Sequence, residues 1–164
     1  MKIENLHQLF VDELQDLYDA EKRIVDALPD MAEKAASVDL RNAFEDHLRE
    51  TREHQRRLDQ IFDQLRDVDR EGKTCKGIEG IVKENEKLMK DAKDPDVRDA
   101  GMIAGAQRVE HYEISAYGTA RTYAQLLGRT DWAQLLQRTL DEEKNADRKL
   151  NQLAERINIE AKAA

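Results

Sequence analysis

The stretch Gln107–Ala120, QRVEHYEISAYGTA, decides the fold, because it sets one glutamate in the middle of an apolar helical face. In a helix with about 3.6 residues per turn, Glu113 shares a face with Val109, Tyr117 and Ala120. A carboxylate among apolar side chains costs free energy unless it is paired or bound to a cation. The stretch therefore predicts a core helix whose buried charge needs a partner.

Three other glutamates, Glu21, Glu50 and Glu143, lie in similar apolar surroundings on separate helix-forming segments. The separation is 29 residues from Glu21 to Glu50 and 30 residues from Glu113 to Glu143. Glu21 precedes Glu113 by 92 residues, which indicates an internal pseudo-repeat of two helical hairpins. Each of four helices is thus predicted to bring a carboxylate inward at mid-length.

Apolar periodicity predicts an all-α protein with a ferritin-like four-helix bundle and a short fifth helix in the B–C crossover. We predict a single domain, 1–164, with helices at 4–36 (A), 38–66 (B), 76–90 (crossover), 95–127 (C) and 130–160 (D). Short A–B and C–D turns make two antiparallel hairpins. The long crossover makes helices B and C parallel.

Residues near the predicted helix ends leave some boundaries open. Pro29 falls inside helix A and is expected to kink or split it. Helix B is expected to take its N-cap from Ser37 or Asp39, and helix D from Thr130 or Asp131.

Composition excludes several classes of function. The net charge of −8 argues against nucleic acid or an anionic membrane as a partner, since both attract basic surfaces. A single cysteine, Cys75, cannot form an internal disulfide and fits a reducing compartment. The first residues, MKIENLHQLFVDEL, contain no long apolar run, so we predict no signal peptide and a cytoplasmic protein.

Converging carboxylates predict a metal site, because two divalent cations are bound by oxygen-rich ligand sets with a few imidazoles. Known di-metal bundles use one Glu from each of two helices and a paired Glu and His from each of the others. The predicted ligands are Glu21, Glu50, His54, Glu113, Glu143 and Asp147. Glu142 is predicted to face solvent.

Five further residues are candidates for extra ligands or for hydrogen-bond partners of the ligands: Asp16, Tyr18, His47, Glu110 and Tyr117. The alternatives are a core histidine at His47, a solvated Asp16, and tyrosines that pack in the core rather than donate electrons to a metal. His111 fits a surface or dimer contact, and Cys75 fits an inert packing role. Any one of the glutamates could also sit at the edge of an apolar stripe, paired with Lys or Arg.

The chain resembles the YciE/YciF family of bacterial stress-associated ferritin-like proteins over nearly its whole length. The matching stretches are DLYDAEK (16–22), DHLRET (46–51), CKGIEGIV (75–82), QRVEHYEISAYGTA (107–120) and TLDEEKNADRKL (139–150). The resemblance implies a buried di-metal centre and a homodimer, with no settled reaction.

One departure bears on the metal. Most ferritin-like di-iron proteins carry Glu-x-x-His, whereas here His54 follows Glu50, and Asp147 follows Glu143, by four residues. Both spacings put two side chains on one face of a helix. The ligand set is richer in carboxylates, so we expect two metal ions, iron first and manganese or even calcium as alternatives.

Three functions fit these features. The leading hypothesis is a di-metal stress-response protein that handles O₂ or peroxide as an oxidoreductase, with the small oxidant as its partner. The second is a metal-binding protein without catalysis. The third is a structural helical dimer that needs no metal.

Overall fold

Helices account for all the regular structure of residues 2–164, which are the residues that the computed structural model describes. The helices are α1 (Leu6–Lys34), α2 (Val38–Phe62), α3 (Lys76–Asp91), α4 (Pro95–Leu126) and α5 (Thr130–Ala163). The prediction of an all-α bundle with a fifth helix in the crossover is confirmed, with α1, α2, α4 and α5 as helices A to D. Among the described residues, every helix is too short or too polar to span a membrane.

The connections give the topology that the sequence predicted. α1 packs against α2 and α4 against α5, while α3 lies against α4 and α1. The α1–α2 turn sits beside the start of α4, where Ala36 and Ser37 donate backbone hydrogen bonds to Asp99. At the opposite end, Arg129 before α5 donates to Gln64, which follows α2. Therefore α2 and α4 run parallel.

Local chemistry decides where the helices begin and end. Ser37 caps α2 by accepting a hydrogen bond from the backbone of Leu40, whereas Asp39 lies inside the helix. The prediction that Thr130 or Asp131 caps α5 is wrong: the N-cap is Arg129, without a side-chain bond. The Arg129 guanidinium instead holds the Asp131 carboxylate at 2.7 Å.

Three of the predicted C-terminal helix ends lie two or more residues from those in the structure. α1 stops at Lys34 rather than 36, because Ala35 is already extended. α2 stops at Phe62 rather than 66, and the turn that follows is held by Arg70, which contacts Asp63 at 2.9 Å. α5 continues to Ala163. Pro29 lies inside α1 and does not split it.

Two apolar clusters make up the core, one on each side of a buried polar layer. The upper core, nearer the α1–α2 turn, includes Ile24, Leu28, Phe44, Met89, Met102, Ala106 and Leu150. The lower core, nearer the α4–α5 turn, includes Phe10, Leu14, Leu58, Tyr117, Trp132 and Leu136. The polar layer falls at mid-length, as the sequence predicted.

Replacing Asp99 with alanine should lower the free energy of unfolding by about 1–3 kcal/mol. Its carboxylate is 1% exposed and accepts from Ala36 at 3.0 Å and Ser37 at 2.7 Å, so the change leaves two backbone donors without a partner. Urea denaturation measures the loss. The exposed Asp26→Ala is the matched control and should stay within about 0.5 kcal/mol of wild type. An equal loss in both variants would contradict this role for Asp99.

Candidate metal centre

Six buried ionisable side chains form the polar layer between the two cores. They come from all four long helices: Glu21, His47, His54, Glu110, Glu113 and Glu143. Four of them, Glu21, His54, Glu113 and Glu143, are fully buried. A helical bundle gains nothing in stability from so many desolvated charges alone, so the layer is the candidate functional site.

Two groups of ligand atoms can be distinguished within this layer. In the upper group, His47, Glu110, Glu113 and Glu143 each place one ligand atom within 4.8 Å of the others. In the lower group, Glu21, His54 and Glu143 do the same. Glu143 belongs to both groups. Each group has the residue types and spacing to hold a metal ion, and the two groups share one carboxylate.

Many of these side-chain atoms have no hydrogen-bond partner among the described residues. Both oxygens of Glu113 and of Glu143 lack one, as do single oxygens of Glu21 and Glu110. Nδ1 of His54 lies 2.8 Å from a Glu143 oxygen, but the contact does not have hydrogen-bond geometry. Unpaired buried oxygens are rare in folded proteins and call for an unseen partner. Their hard oxygen chemistry fits a divalent cation.

Electrostatics gives the same conclusion. Burial and the nearby carboxylates raise the pKa of Glu110 and of Glu113 well above the usual glutamate range. Burial lowers the pKa of His54, but the surrounding Glu21, Glu142 and Glu143 outweigh it and the pKa ends up raised. Burial would raise the pKa of Glu143, yet Glu110 and the histidines bring it down to about 2. Without a metal ion, the side chains with raised pKa values keep their protons, which offset the negative charge of the layer. A bound metal ion would supply that positive charge instead.

Glu142 corrects one prediction, because it does not simply face solvent. It is half-buried and accepts from Nε2 of His54 at 2.9 Å. The Arg57 guanidinium donates to both oxygens of this carboxylate, at 2.6 and 2.9 Å. Because α5 packs against α2, a side chain turned away from the bundle axis meets α2 instead of water. Glu142 thereby leaves Nδ1 of His54 directed at the lower group.

Glu50 and Asp147 are not brought into either group. Glu50 is 34% exposed, 3.8 Å from Nδ1 of His47 and 3.9 Å from Lys149. Asp147 accepts from Gln107 at 3.1 Å and lies 3.3 Å from exposed His111. These two residues flank the layer where the sequence predicted ligands.

His47 and Glu110 occupy the layer instead. His47 Nε2 lies 3.2 Å from Glu110, and the residues are 8% and 2% exposed. Two sequence signals identify them. His47 and His54 are seven residues apart and so share a helix face, and Glu110 precedes Glu113 by one turn.

Of the three remaining candidates, one contacts a residue of the layer and two have their contacts elsewhere. Tyr117 is fully buried and donates its hydroxyl to Glu21. Asp16 instead accepts from Tyr112 at 2.5 Å, and Tyr18 packs edge-on against Phe62. Neither Asp16 nor Tyr18 belongs to the two ligand groups.

The fold and the mid-length layer together define a ferritin-like helical protein with a buried carboxylate and histidine cluster. The profile of the family described as Domain of unknown function (DUF892) matches residues 5–163, and the chain belongs to this family. Protein YciF of Escherichia coli strain K12 is 38% identical over 154 residues, which cover 94% of this chain and 93% of that protein. The resemblance predicted from the sequence is confirmed.

Two solved structures of similar sequence have the same fold as this chain. The crystal structure of the E. coli stress protein YciF superposes with a TM-score of 0.90 at 37% identity, covering 94% of this chain and 98% of that one. YcfI, a putative structural protein from Rhodopseudomonas palustris, gives 0.87 at 41% identity, covering 92% and 95%. Both superpositions cover almost the whole bundle, including the helices that carry the polar layer.

Proposed function

We propose that this protein binds two divalent metal ions in the polar layer, one in each ligand group, with Glu143 as a ligand common to both groups. The observation that carries the proposal is the set of buried carboxylate oxygens without a hydrogen-bond partner, at Glu113 and Glu143 above all. A cation neutralises these charges and fills their coordination at once. No hydrogen-bond partner for them lies among the described residues, and His54 reaches Glu143 only as a close charged contact.

The ligand set favours iron or manganese. Four carboxylates and two imidazoles form an oxygen-rich set, which suits these metals better than a thiolate-seeking ion. When bound, a pair of such ions supplies redox chemistry toward O₂ or peroxide. The chain's own contribution is orientation: Glu142 holds His54, and Tyr117 holds Glu21. A stress-related oxidoreductase is therefore the function that we infer, and the stress-protein description of E. coli YciF supports it.

A structural role for the metal is the second candidate. The relative from R. palustris is described as a putative structural protein. In that case the ions would brace the bundle without turnover, and the chain would act through a homodimer. Oxidant consumption by the metal-loaded protein distinguishes the two candidates, and light scattering tests the dimer.

Metal analysis of protein purified without chelators should find about two metal ions per chain, as two shared sites imply. Glu143→Gln should lose most of both, because this residue belongs to both ligand groups. Asp147→Asn, on the same helix and outside both groups, is the matched control and should keep both ions. Elemental analysis by mass spectrometry gives the counts. A metal-free wild type, or equal losses in the two variants, would rule out the proposed centre.

A further inference from the structure

A cavity of about 220 Å³ lies in the upper core, next to the polar layer. Its walls are mainly apolar and include Ile24, Phe44, Val82, Met89, Ala106 and Leu150. Protein interiors are normally packed with few voids larger than a water molecule. An engineered cavity of about 150 Å³ is enough to bind benzene. This space is thus large enough for a ring with a substituent or for a small fused ring.

The cavity adjoins the candidate metal centre directly. His47 and Glu110, which both belong to the upper ligand group, also line the cavity. Both ring nitrogens of His47 and Oε2 of Glu110 lack a hydrogen-bond partner among the described residues. A molecule in the cavity would rest against the ligands of one metal ion.

Asn85 provides a polar group for such a molecule. It is 8% exposed, lines the cavity, and its Oδ1 has no hydrogen-bond partner among the described residues. Its amide nitrogen reaches only the Met31 sulfur, at 3.5 Å. A Cβ atom at Gly105 would come within 2.4 Å of Asn85 Oδ1, so this oxygen lies close to the α4 backbone and the glycine leaves room for it. A buried, unpaired acceptor in an apolar wall indicates a ligand that donates one hydrogen bond.

The entrance restricts the charge of the ligand. The exposed lining residues Asp26 and Glu86 show that the cavity reaches the surface between α1 and α3. Half-buried Asp30 and Glu50 add two carboxylates to the lining and exposed Lys149 adds one ammonium group, so the lining near the surface keeps a net negative charge. Anionic molecules are repelled there, and an ammonium group would be poorly solvated inside the apolar walls. Neutral molecules remain.

We propose that the cavity binds a small neutral aromatic molecule with one hydrogen-bond donor, of the phenol or indole type. The ring fills the apolar space, the donor meets Oδ1 of Asn85, and one edge faces His47 and Glu110. Binding itself needs no metal, whereas a role as substrate rests on the proposed di-metal function. The inference gives that function a substrate class.

Calorimetric titration of the metal-free protein with phenol and with toluene tests the proposal. Both should bind saturably, one per chain. Asn85→Ala should weaken phenol relative to toluene by roughly 2- to 12-fold, the range for one lost hydrogen bond. Ala106→Leu should weaken both more than 10-fold by filling the space. The exposed Asn42→Ala is the matched control and should leave both affinities unchanged.

Two outcomes would overturn the inference: no saturable binding to wild type, which would mean a water-filled space, or full binding in Ala106→Leu. If Ala106→Leu fails to fold, Ala43→Leu, at another wall of the cavity, replaces it. In Mn²⁺-loaded protein, the metal should broaden the phenol proton signals, and a metal-loaded protein that binds phenol without broadening it contradicts the placement beside His47. Metal counts on the same samples distinguish failure of this inference from failure of the metal proposal.

Discussion

Mn²⁺ should raise the free energy of unfolding of the metal-free protein by about 2.7 kcal/mol for each bound ion at 100 times that site's dissociation constant, and by about 4.1 kcal/mol for each ion at 1,000 times. The folded chain holds two groups of ligand atoms within 4.8 Å of one another, and the unfolded chain holds none of them together. Metal binding is then coupled to folding. Urea denaturation with and without the ion measures the increase.

The increase should disappear in Glu143→Gln and persist in Asp147→Asn. Glu143 contributes to both groups, whereas Asp147 bonds to Gln107 near the surface. A gain in stability that is equal in the two variants would place the metal elsewhere on this acidic chain. Magnesium is a useful comparison, because it prefers oxygen ligands and gains little from the imidazoles of His47 and His54.

The order and direction of the helices could be predicted because they depend on repeating, local signals. Asp94 followed by Pro95 begins α4 as a side-chain cap and first helical residue. Apolar residues at helical spacing give each helix one buried face. The α5 cap could not be predicted, because Arg129 competes for the Asp131 carboxylate across the helix boundary.

The candidate site could be predicted only in part. Glu21, His54, Glu113 and Glu143 lie at the centre of their helix faces and reach the layer. Glu50 and Asp147 share a turn with these residues, but a helical wheel does not show which seam between helices a flanking side chain enters. Glu50 is displaced toward Lys149.

Glu142 shows the same limit from the other side. The sequence correctly predicted that the Glu142 side chain points away from the bundle axis. However, α2 lies in that direction and contributes His54 and Arg57 as its partners. The surroundings of such a flanking side chain are determined by packing between helices and not by the periodicity within one helix. The upper cavity likewise depends on how five helices meet and leaves no local signal in the sequence.

Replacing Glu113 with methionine should stabilise the metal-free protein by about 1–4 kcal/mol at pH 8, the range for exchanging buried charge against apolar packing. Glu113 is fully buried and neither oxygen has a hydrogen-bond partner among residues 2–164. Burial and the neighbouring Glu143 and Glu21 raise its pKa in the folded protein. Methionine has a similar length and no charge. Urea denaturation in the presence of a chelator measures the gain.

The pH dependence gives this prediction its sign. The pKa of Glu113 is higher in the folded than in the unfolded chain, so the contribution of this group is most favourable below its unfolded pKa. That contribution is lost as pH rises through the folded pKa, whereas Glu113→Met has no carboxyl group to titrate. The difference in free energy of unfolding between Glu113→Met and wild type should therefore grow from pH 4 to pH 8. The exposed Glu84→Met should differ from wild type by no more than about 0.5 kcal/mol at either pH. Glu113 belongs to the upper ligand group alone, so a stabilised Glu113→Met that gains less stability from metal than wild type would show that the carboxylate is kept for binding, against the stability of the bundle. A destabilised variant at pH 8 would instead mean that Glu113 has a stabilising partner in the metal-free protein.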